Sequence, residues 1–384
     1  MKIGIPNESF EKETRVALVP AMINILKNDN HEVYVESDAG VGSSIANEEY
    51  EKAGAKIVDD ARKLYETADI IFKVTPPRKH PKAKKNEVDL LKEGSTLLSF
   101  IMPHANRDVV KKLQDKKITT FAMEYVPRIT RAQSMDAMSS MATLAGYKAV
   151  LIGANHLGKI FPLLMTAAGS ITPANVLILG AGVAGLQAIA TAKRLGARVE
   201  AFDPRPAVKE QIESLGARFV EMELPEEDVE TSGGYAKQQS DEFLKKEQEA
   251  IANRLARTDV VVSTAQIFGK KAPVLITADM VKMMKPGSVI VDLAAEQGGN
   301  CEVTKAGETV TQDDVIVHGA VNLPASIPFH ASQMYSKNIT NLFKHLYQEP
   351  EFNLNFEDEI TSSACITRDG NITNEMVKNI IQGG

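Results

Sequence analysis

The sequence predicts an α/β protein made of two parallel-sheet domains joined by long helices. Three observations carry that expectation. Short β-rich runs alternate with helical patterns in the first third of the chain, the same rhythm restarts at Asn175, and two long proline-free stretches of helical spacing flank the restart. With 384 residues, 43% hydrophobic and 24% charged, the chain has material for two to three domain-sized cores.

In the first domain, Lys2–Ile5, Glu32–Glu36, Ile70–Val74, Thr96–Ile101 and Ile118–Glu124 are candidate strands, and Pro20–Asn28, Glu48–Gly54 and Arg107–Lys116 carry helical spacing. A long helix is expected within Met135–Gly158, where Met138, Met141, Leu144, Ala145, Ala149 and Ile152 recur on one face. In the second domain the candidate strands are Asn175–Leu179, Arg198–Asp203, Arg218–Met222, Asp259–Ala265, Ser288–Leu293 and Val315–His318. A second long helix is expected from Ala331 to Tyr347 through Met334, Ile339, Leu342, Phe343 and Leu346. Phe352–Thr373 alternates polar and apolar residues around Arg368-Asp369-Gly370-Asn371, the pattern of a hairpin. The expected organisation is residues 1–137 plus 327–384 as one α/β domain, with 138–326 inserted as a second.

Charge and cysteine content narrow the function classes. A net charge of −6 gives no global basic field to draw in nucleic acid or anionic lipid. Cys301 and Cys365 are too few for a disulfide framework and fit a reducing compartment. No secretory apolar region follows MKIGIPNE, and no apolar run approaches the ~18 residues needed to span a bilayer. The chain is expected to be cytosolic, with no nucleic-acid partner and no direct membrane insertion. Pro76–Asn86 (PPRKHPKAKKN) reads as a solvated loop, or alternatively as a basic docking patch. Glu221–Lys237 reads as a surface connection, or as a hinged lid carrying Tyr235.

The strongest chemical signal is Asn175–Gly185, NVLILGAGVAG, an apolar strand running into G-x-G-x-x-G with helical spacing over Val183–Leu195 behind it. Strand before and helix after are the context that the motif needs. Gly180 would permit the tight turn, Gly182 would let a pyrophosphate approach, and Gly185 would let helix and strand pack closely. The helix N-terminus would offer free N–H groups to the phosphates. Asp203, closing the second strand 18 residues after Gly185, is placed to accept both ribose hydroxyls and favours NAD(H) over NADP(H). Arg205 argues the other way, but Pro204 and Pro206 constrain it, and Asp203 is given more weight. A Rossmann-like nicotinamide-dinucleotide site, in a cleft between the two domains, follows.

Substrate chemistry beside that site is thin. Ser263-Thr264-Ala265-Gln266 lies near the expected nicotinamide, Asp292–Asn300 closes a strand with a glycine pair, and Arg128–Asp136 (RITRAQSMD) is rich in hydrogen-bonding groups. A dehydrogenase also needs a group to manage its substrate's proton. His104 could reach the cleft but reads better as an exposed loop residue, while His156 and His318 read as structural. No zinc spacing or nucleophile elbow is present, so no metal is expected.

The stretches RITRAQSMDAMSSMATLAGYKAV, GAGVAGLQAIATAKRLGA, SGGYAK, KPGSVIVDLAAEQGGNC and RDGNIT resemble the NAD(H)-binding domain I of proton-translocating NAD(P) transhydrogenase, in the split bacterial form where it is a separate alpha-1 subunit. The resemblance covers essentially the whole chain. Alanine dehydrogenase, which shares the fold, is also similar: its substrate-binding arginine and lysine match Arg15 and Lys73, but its catalytic histidine aligns with Met102, with His104 displaced by two, and its late acid becomes Glu296. Hydride exchange between two nicotinamides needs no substrate acid/base, which agrees with the thin chemistry. The resemblance implies that Arg128, Gln133 and Asp136 orient the reacting nicotinamide with Ser134, Met135 and Ser139 beside them. It further implies nucleotide contacts at Val183, Asp203, Pro204, Arg205, Gly234 and Tyr235, and, in stretches that vary among relatives, at Glu247, Ala265 and Gln266. It implies NADP(H) on a partner subunit, a homodimer, alpha-2 and beta subunits supplying the membrane and NADP(H)-binding domains, and a peripheral position on the cytoplasmic face of the inner membrane.

Overall fold

The computed structural model describes residues 1–10, 12–222, 240–267, 269–347 and 354–383. It divides into two compact units, Met1–Met141 with Ala325–Gly384, and Ala142–Pro324.

In the first unit the strands are β1 (Lys2–Ile5), β2 (Glu32–Glu36), β3 (Lys56–Val58), β4 (Ile70–Phe72), β5 (Thr96–Ser99) and β6 (Thr119–Ala122). Between them run α1 (Pro20–Asn28), α2 (Asn47–Ala53), α3 (Ala61–Thr67), α4 (Glu87–Leu90) and α5 (Arg107–Asp115). α6 (Ala137–His156) begins in this unit and ends in the second. The second unit contains β7 (Leu164–Thr166), β8 (Gly169–Ile171), β9 (Asn175–Leu179), α7 (Val183–Arg194), β10 (Arg198–Phe202), α8 (Lys209–Ser214) and β11 (Arg218–Phe219). It continues with α9 (Asp241–Leu255), β12 (Val260–Ser263), α10 (Ala278–Val281), β13 (Val289–Asp292), β14 (Thr309–Gln312) and β15 (Val315–Gly319). The chain then returns to the first unit with α11 (Pro328–Leu346), α12 (Glu359–Ala364), β16 (Cys365–Arg368), β17 (Asn371–Ile372) and α13 (Glu375–Gln382).

The first unit's sheet has the order β17-β16-β6-β5-β4-β1-β2-β3 among the described residues, parallel from β6 to β3 and antiparallel at β16 and β17. Ile3, Ile5, Val35, Phe72, Leu98 and Phe121 lie sealed within it, as a sheet covered on both faces requires. α11 starts on Pro328, whose missing N–H costs nothing at a first helical position, and buries Tyr335, Ile339, Leu342 and Phe343.

Two expectations need correction here. The polar-apolar alternation before Cys365 is not strand: Asp358 accepts hydrogen bonds from the N–H groups of Ile360 and Thr361 and starts helix α12, so the hairpin is confined to Cys365–Ile372, turning on the left-handed Asp369 and Gly370. Nor is Pro76–Asn86 simply solvated. His80 is fully buried with its Nε2 3.1 Å from Glu36 Oε2, and Ala83 is buried, while Lys82, Lys84 and Lys85 face solvent.

The second unit's sheet has the order β11-β10-β9-β12-β13-β15-β14, parallel except for β14. Its central strands are continuous apolar runs because both faces are covered. Val176, Ile178, Val260, Val262, Val289 and Val291 point to one face, where α7, α8 and the end of α6 pack. Leu177, Leu179, Val261 and Ile290 point to the other, with Ile251 and Leu255 of α9. Strand order reverses at β9, whose neighbours β10 and β12 lead away in opposite directions. No helix among the described residues is long and apolar enough to cross a membrane.

Candidate functional site

In sheets of this kind ligands bind beyond the carboxyl ends of the strands where the order reverses, and the glycine fingerprint stands there. Gly180 follows β9 with a φ of +94°, its N–H donating to the Phe202 carbonyl at 2.8 Å. A Cβ on Gly185 would sit 1.8 Å from the Gly180 carbonyl oxygen, so the first turn of α7 packs against the loop only with glycine there. A Cβ on Gly182 would meet nothing within 4 Å, so this backbone borders open space, and Gly182 caps α7 without a side chain. Val183 is exposed beside it.

Asp203, directly after β10, is buried, and its carboxylate accepts four hydrogen bonds. Oδ2 takes the Ala181 N–H at 2.7 Å and Arg205 Nη2 at 2.9 Å; Oδ1 takes the Arg205 N–H at 3.0 Å and Nε at 2.9 Å. The direction of Arg205, open from the sequence, is thereby set: it folds back on Asp203. Glu247 projects from α9 into the same neighbourhood, 3% exposed, and burial together with the Asp203 charge pushes its carboxyl up to about 8. Ala265 and Gln266 follow β12 at the same edge of the sheet. Gly234 and Tyr235 lie outside the described residues.

The remaining predicted residues belong to the first unit. Asp136 precedes α6 and caps it, its Oδ1 accepting the Ser139 N–H at 2.8 Å and its Oδ2 the Ser139 hydroxyl at 2.6 Å. Arg128 Nε is 4.0 Å from Asp136 Oδ2. Gln133 and Ser134 are exposed on the turn Thr130–Met135, while Met135 is buried. The Ser134 carbonyl is tied to α11 by the side-chain amides of Asn338, at 2.9 Å, and Asn341, at 3.2 Å. Arg128, Asp136 and Ser139 thus form one cluster, and the Asp136 N–H donates to the Gln133 carbonyl at 3.3 Å.

Lys73 is fully buried with its ammonium 2.9 Å from Glu8 and 3.0 Å from Glu87. Burial works against its charge, but the two carboxylates outweigh that and raise its pKa. Arg15 is held by Glu13 through Nε and Nη2. His104 is exposed, and partial desolvation lowers its pKa. Its loop is fixed by Glu124, which accepts the N–H groups of Ile101 and Met102 and which burial pushes up to about 7. The rings of His156 and His318 lie 5.8 Å apart, tilted by 33°, and Glu296 is exposed. Among the described residues no group of three or more His, Cys, Asp or Glu could hold a metal ion.

One feature escaped the sequence reading. The segment after β15 lies at the same carboxyl edge as the fingerprint, and Asn322 in it adopts a φ of +42°. Its signal was positional: the parallel strand Val315–Gly319 delivers it there.

A parallel sheet with a dinucleotide fingerprint at its switch point defines a nucleotide-binding α/β protein. Comparison with known proteins is more specific. Residues 4–145 match the alanine dehydrogenase/PNT N-terminal domain and residues 149–375 the alanine dehydrogenase/PNT C-terminal domain, so the chain belongs to the alanine dehydrogenase/PNT family. It is 47% identical over 375 residues to the first of the chains that make up the NAD(P) transhydrogenase alpha subunit of Rhodospirillum rubrum, covering 97% of each chain. A crystal structure of transhydrogenase from Sinorhizobium meliloti superposes with a TM-score of 0.84 at 38% identity, covering 98% of this chain and all of that one. Alanine dehydrogenase of Methanococcus maripaludis is 32% identical over 85% of this chain and 82% of its own. Within this oxidoreductase family the transhydrogenase alpha subunits are the nearer relatives and alanine dehydrogenase the more distant.

Proposed function

We propose that this chain binds NAD(H) and passes hydride from NADH to NADP+ held on a partner subunit. The observation that carries the reading is the fingerprint: an open glycine backbone at the head of α7, with the Asp203 carboxylate anchored to its Ala181 N–H. Gly180, Gly182, Val183 and Gly185 would receive the pyrophosphate on the helix N-terminus. Asp203, Pro204 and Arg205, with Glu247 behind them, would meet the adenosine ribose; Gly234, Tyr235, Ala265 and Gln266 complete the proposed nucleotide contacts. Arg128, Gln133 and Asp136 would orient the dihydronicotinamide, supported by Ser134, Met135 and Ser139. Bound NADH supplies the hydride; the protein's share is orientation and exclusion of water, worth several orders of magnitude in rate when reacting atoms are held near contact.

In the same proposal the chain is a homodimer, joined to alpha-2 and beta subunits that provide the membrane domain, the NADP(H) site and the coupling to proton translocation, so that it sits peripherally on the cytoplasmic face of the inner membrane. The β7–β8 hairpin supports self-association, since Leu163, Leu164, Met165 and Ile171 are all exposed on or beside it.

The test mixes the purified chain with the NADP(H)-binding partner and follows hydride transfer from partner-bound NADPH to an NAD analogue, the reverse of the same exchange. Transfer above either component alone is expected, and Gln133→Asn should lower it sharply with little change in NADH affinity. No transfer above background refutes the proposal. Pyruvate- and ammonia-dependent NADH oxidation by the chain alone would instead make it an alanine dehydrogenase, and nucleotide affinity without turnover a sensing module.

A further inference from the structure

We infer that Asn300 is a positioning residue for the nicotinamide end of the nucleotide, acting by gripping the main chain of Ala265. The inference rests on the nucleotide-binding reading above.

Every residue of Ser263–Gln266 is tied to another part of the sheet edge. The Ser263 hydroxyl donates to Asp292 Oδ1 at 3.0 Å, the Thr264 hydroxyl lies 3.2 Å from the carbonyls of Leu179 and Gly180, and Gln266 Nε2 donates to the Leu293 carbonyl at 2.8 Å. Ala265 has no polar side chain, and there the backbone itself is held. Its N–H donates to Asn300 Oδ1 at 3.0 Å, while Asn300 Nδ2 donates to the Ala265 carbonyl at 2.8 Å and to the Pro273 carbonyl at 2.9 Å. One amide therefore pairs with both polar groups of Ala265, as a neighbouring strand would. The direction of the amide is fixed by its partners, because an N–H can only donate and a carbonyl can only accept.

Asn300 is itself immobilised. Fully buried Asp292 accepts the N–H groups of Asn300 at 2.7 Å and Cys301 at 3.1 Å and the Thr304 hydroxyl at 2.7 Å, all on Oδ2. The Asn300 carbonyl accepts from Leu275 and Ile276. The preceding glycine pair makes this turn possible: Gly299 has a φ of +83°, and a Cβ on it would lie 2.9 Å from Asp292 Oδ2. The result is a rigid path from a core strand to the main chain beneath exposed Gln266. Near-attack geometry tolerates little displacement, and a shift of about 1 Å can cost on the order of a hundredfold in rate.

Asn300→Asp keeps the shape and one acceptor but sets a carboxylate against two carbonyls; Asn300→Ser is the milder second variant should the first fail to fold. Affinities for NADH and for ADP-ribose, which lacks nicotinamide, are measured on the full chain, and transfer is measured with the NADP(H)-binding partner. The expected result is a fall of about tenfold or more in transfer at saturation, with ADP-ribose affinity held within about twofold. Unchanged transfer in a folded variant, or equal loss of ADP-ribose and NADH affinity, overturns the assignment. Should the unsubstituted chain show no transfer at all, the proposed function falls instead. Asn300 is then judged on the ratio of NADH to ADP-ribose affinity: a drop in the variants supports its role and an unchanged ratio overturns it.

Discussion

Replacing Glu247 with glutamine should stabilise the second unit, and the gain should grow with pH. The side chain is almost wholly buried beside Asp203, which moves its carboxyl from 4.5 to about 8. A raised carboxyl keeps its proton in the folded state after the unfolded chain has released it. Stability is therefore fully present below about 4.5 and is lost as pH climbs through about 8. At about 1.36 kcal/mol for each tenfold change in the proton equilibrium, the loss is about 3 kcal/mol at pH 7 and approaches about 5 kcal/mol above pH 9. Glutamine has the same shape and no charge to bury, so Glu247→Gln removes the pH-dependent part. Hydrogen exchange resolved by peptide reports the second unit separately from the first, which a single melting curve would not. Protection in β9 and β12 should match the unsubstituted chain near pH 4.5 and exceed it increasingly at pH 7 and 9. A difference that does not vary with pH, or a variant less protected at pH 9, would refute the assignment of a strained carboxyl to this position.

Three further outcomes follow from particular contacts. Gly185→Ala places a methyl 1.8 Å from a backbone oxygen, so it should cost about 1–3 kcal/mol of stability and abolish measurable NADH binding by calorimetry. Lys73→Met removes the cation held between buried Glu8 and Glu87, and hydrogen exchange resolved by peptide should show a loss of about 3–5 kcal/mol in the first unit while NADH affinity is retained. Cys301 and Cys365 are buried thiols whose acidity burial suppresses to about 11, so neither should react with a thiol-specific reagent at pH 8 until denaturant is added.

Much of this fold was legible because buried parallel strands announce themselves as apolar runs. Lys2–Ile5, Glu32–Glu36 and Asn175–Leu179 were readable to the residue, as was α1 from its helical spacing. Strand ends ran long wherever an apolar residue continued past the last ladder bond, as at Val74 and Ile101. Short or polar elements were missed: Lys56–Val58 has too few residues for a period, and amphipathic α9 is dominated by charge. The fingerprint was visible because its glycines serve local needs of turn and packing. What could not be read were partnerships between distant residues of short polar type. Arg205 with Asp203, His80 with Glu36 and Asn300 with Ala265 each depend on where the backbone delivers two ends, and no spacing encodes that.

The place of β16 in the first unit's sheet has a consequence for how the chain is made. β6 is hydrogen-bonded on one side by β5 and on the other by β16, which begins at Cys365. At about 5–20 residues per second, a ribosome needs tens of seconds to travel from Ala122 to Cys365. Throughout that interval a strand edge stands open on the nascent chain, while the whole second unit is synthesised and can fold. An unpaired edge is a template for the wrong neighbour. The first unit therefore completes itself last, and its exposure to misassembly is set by the time taken to translate the second.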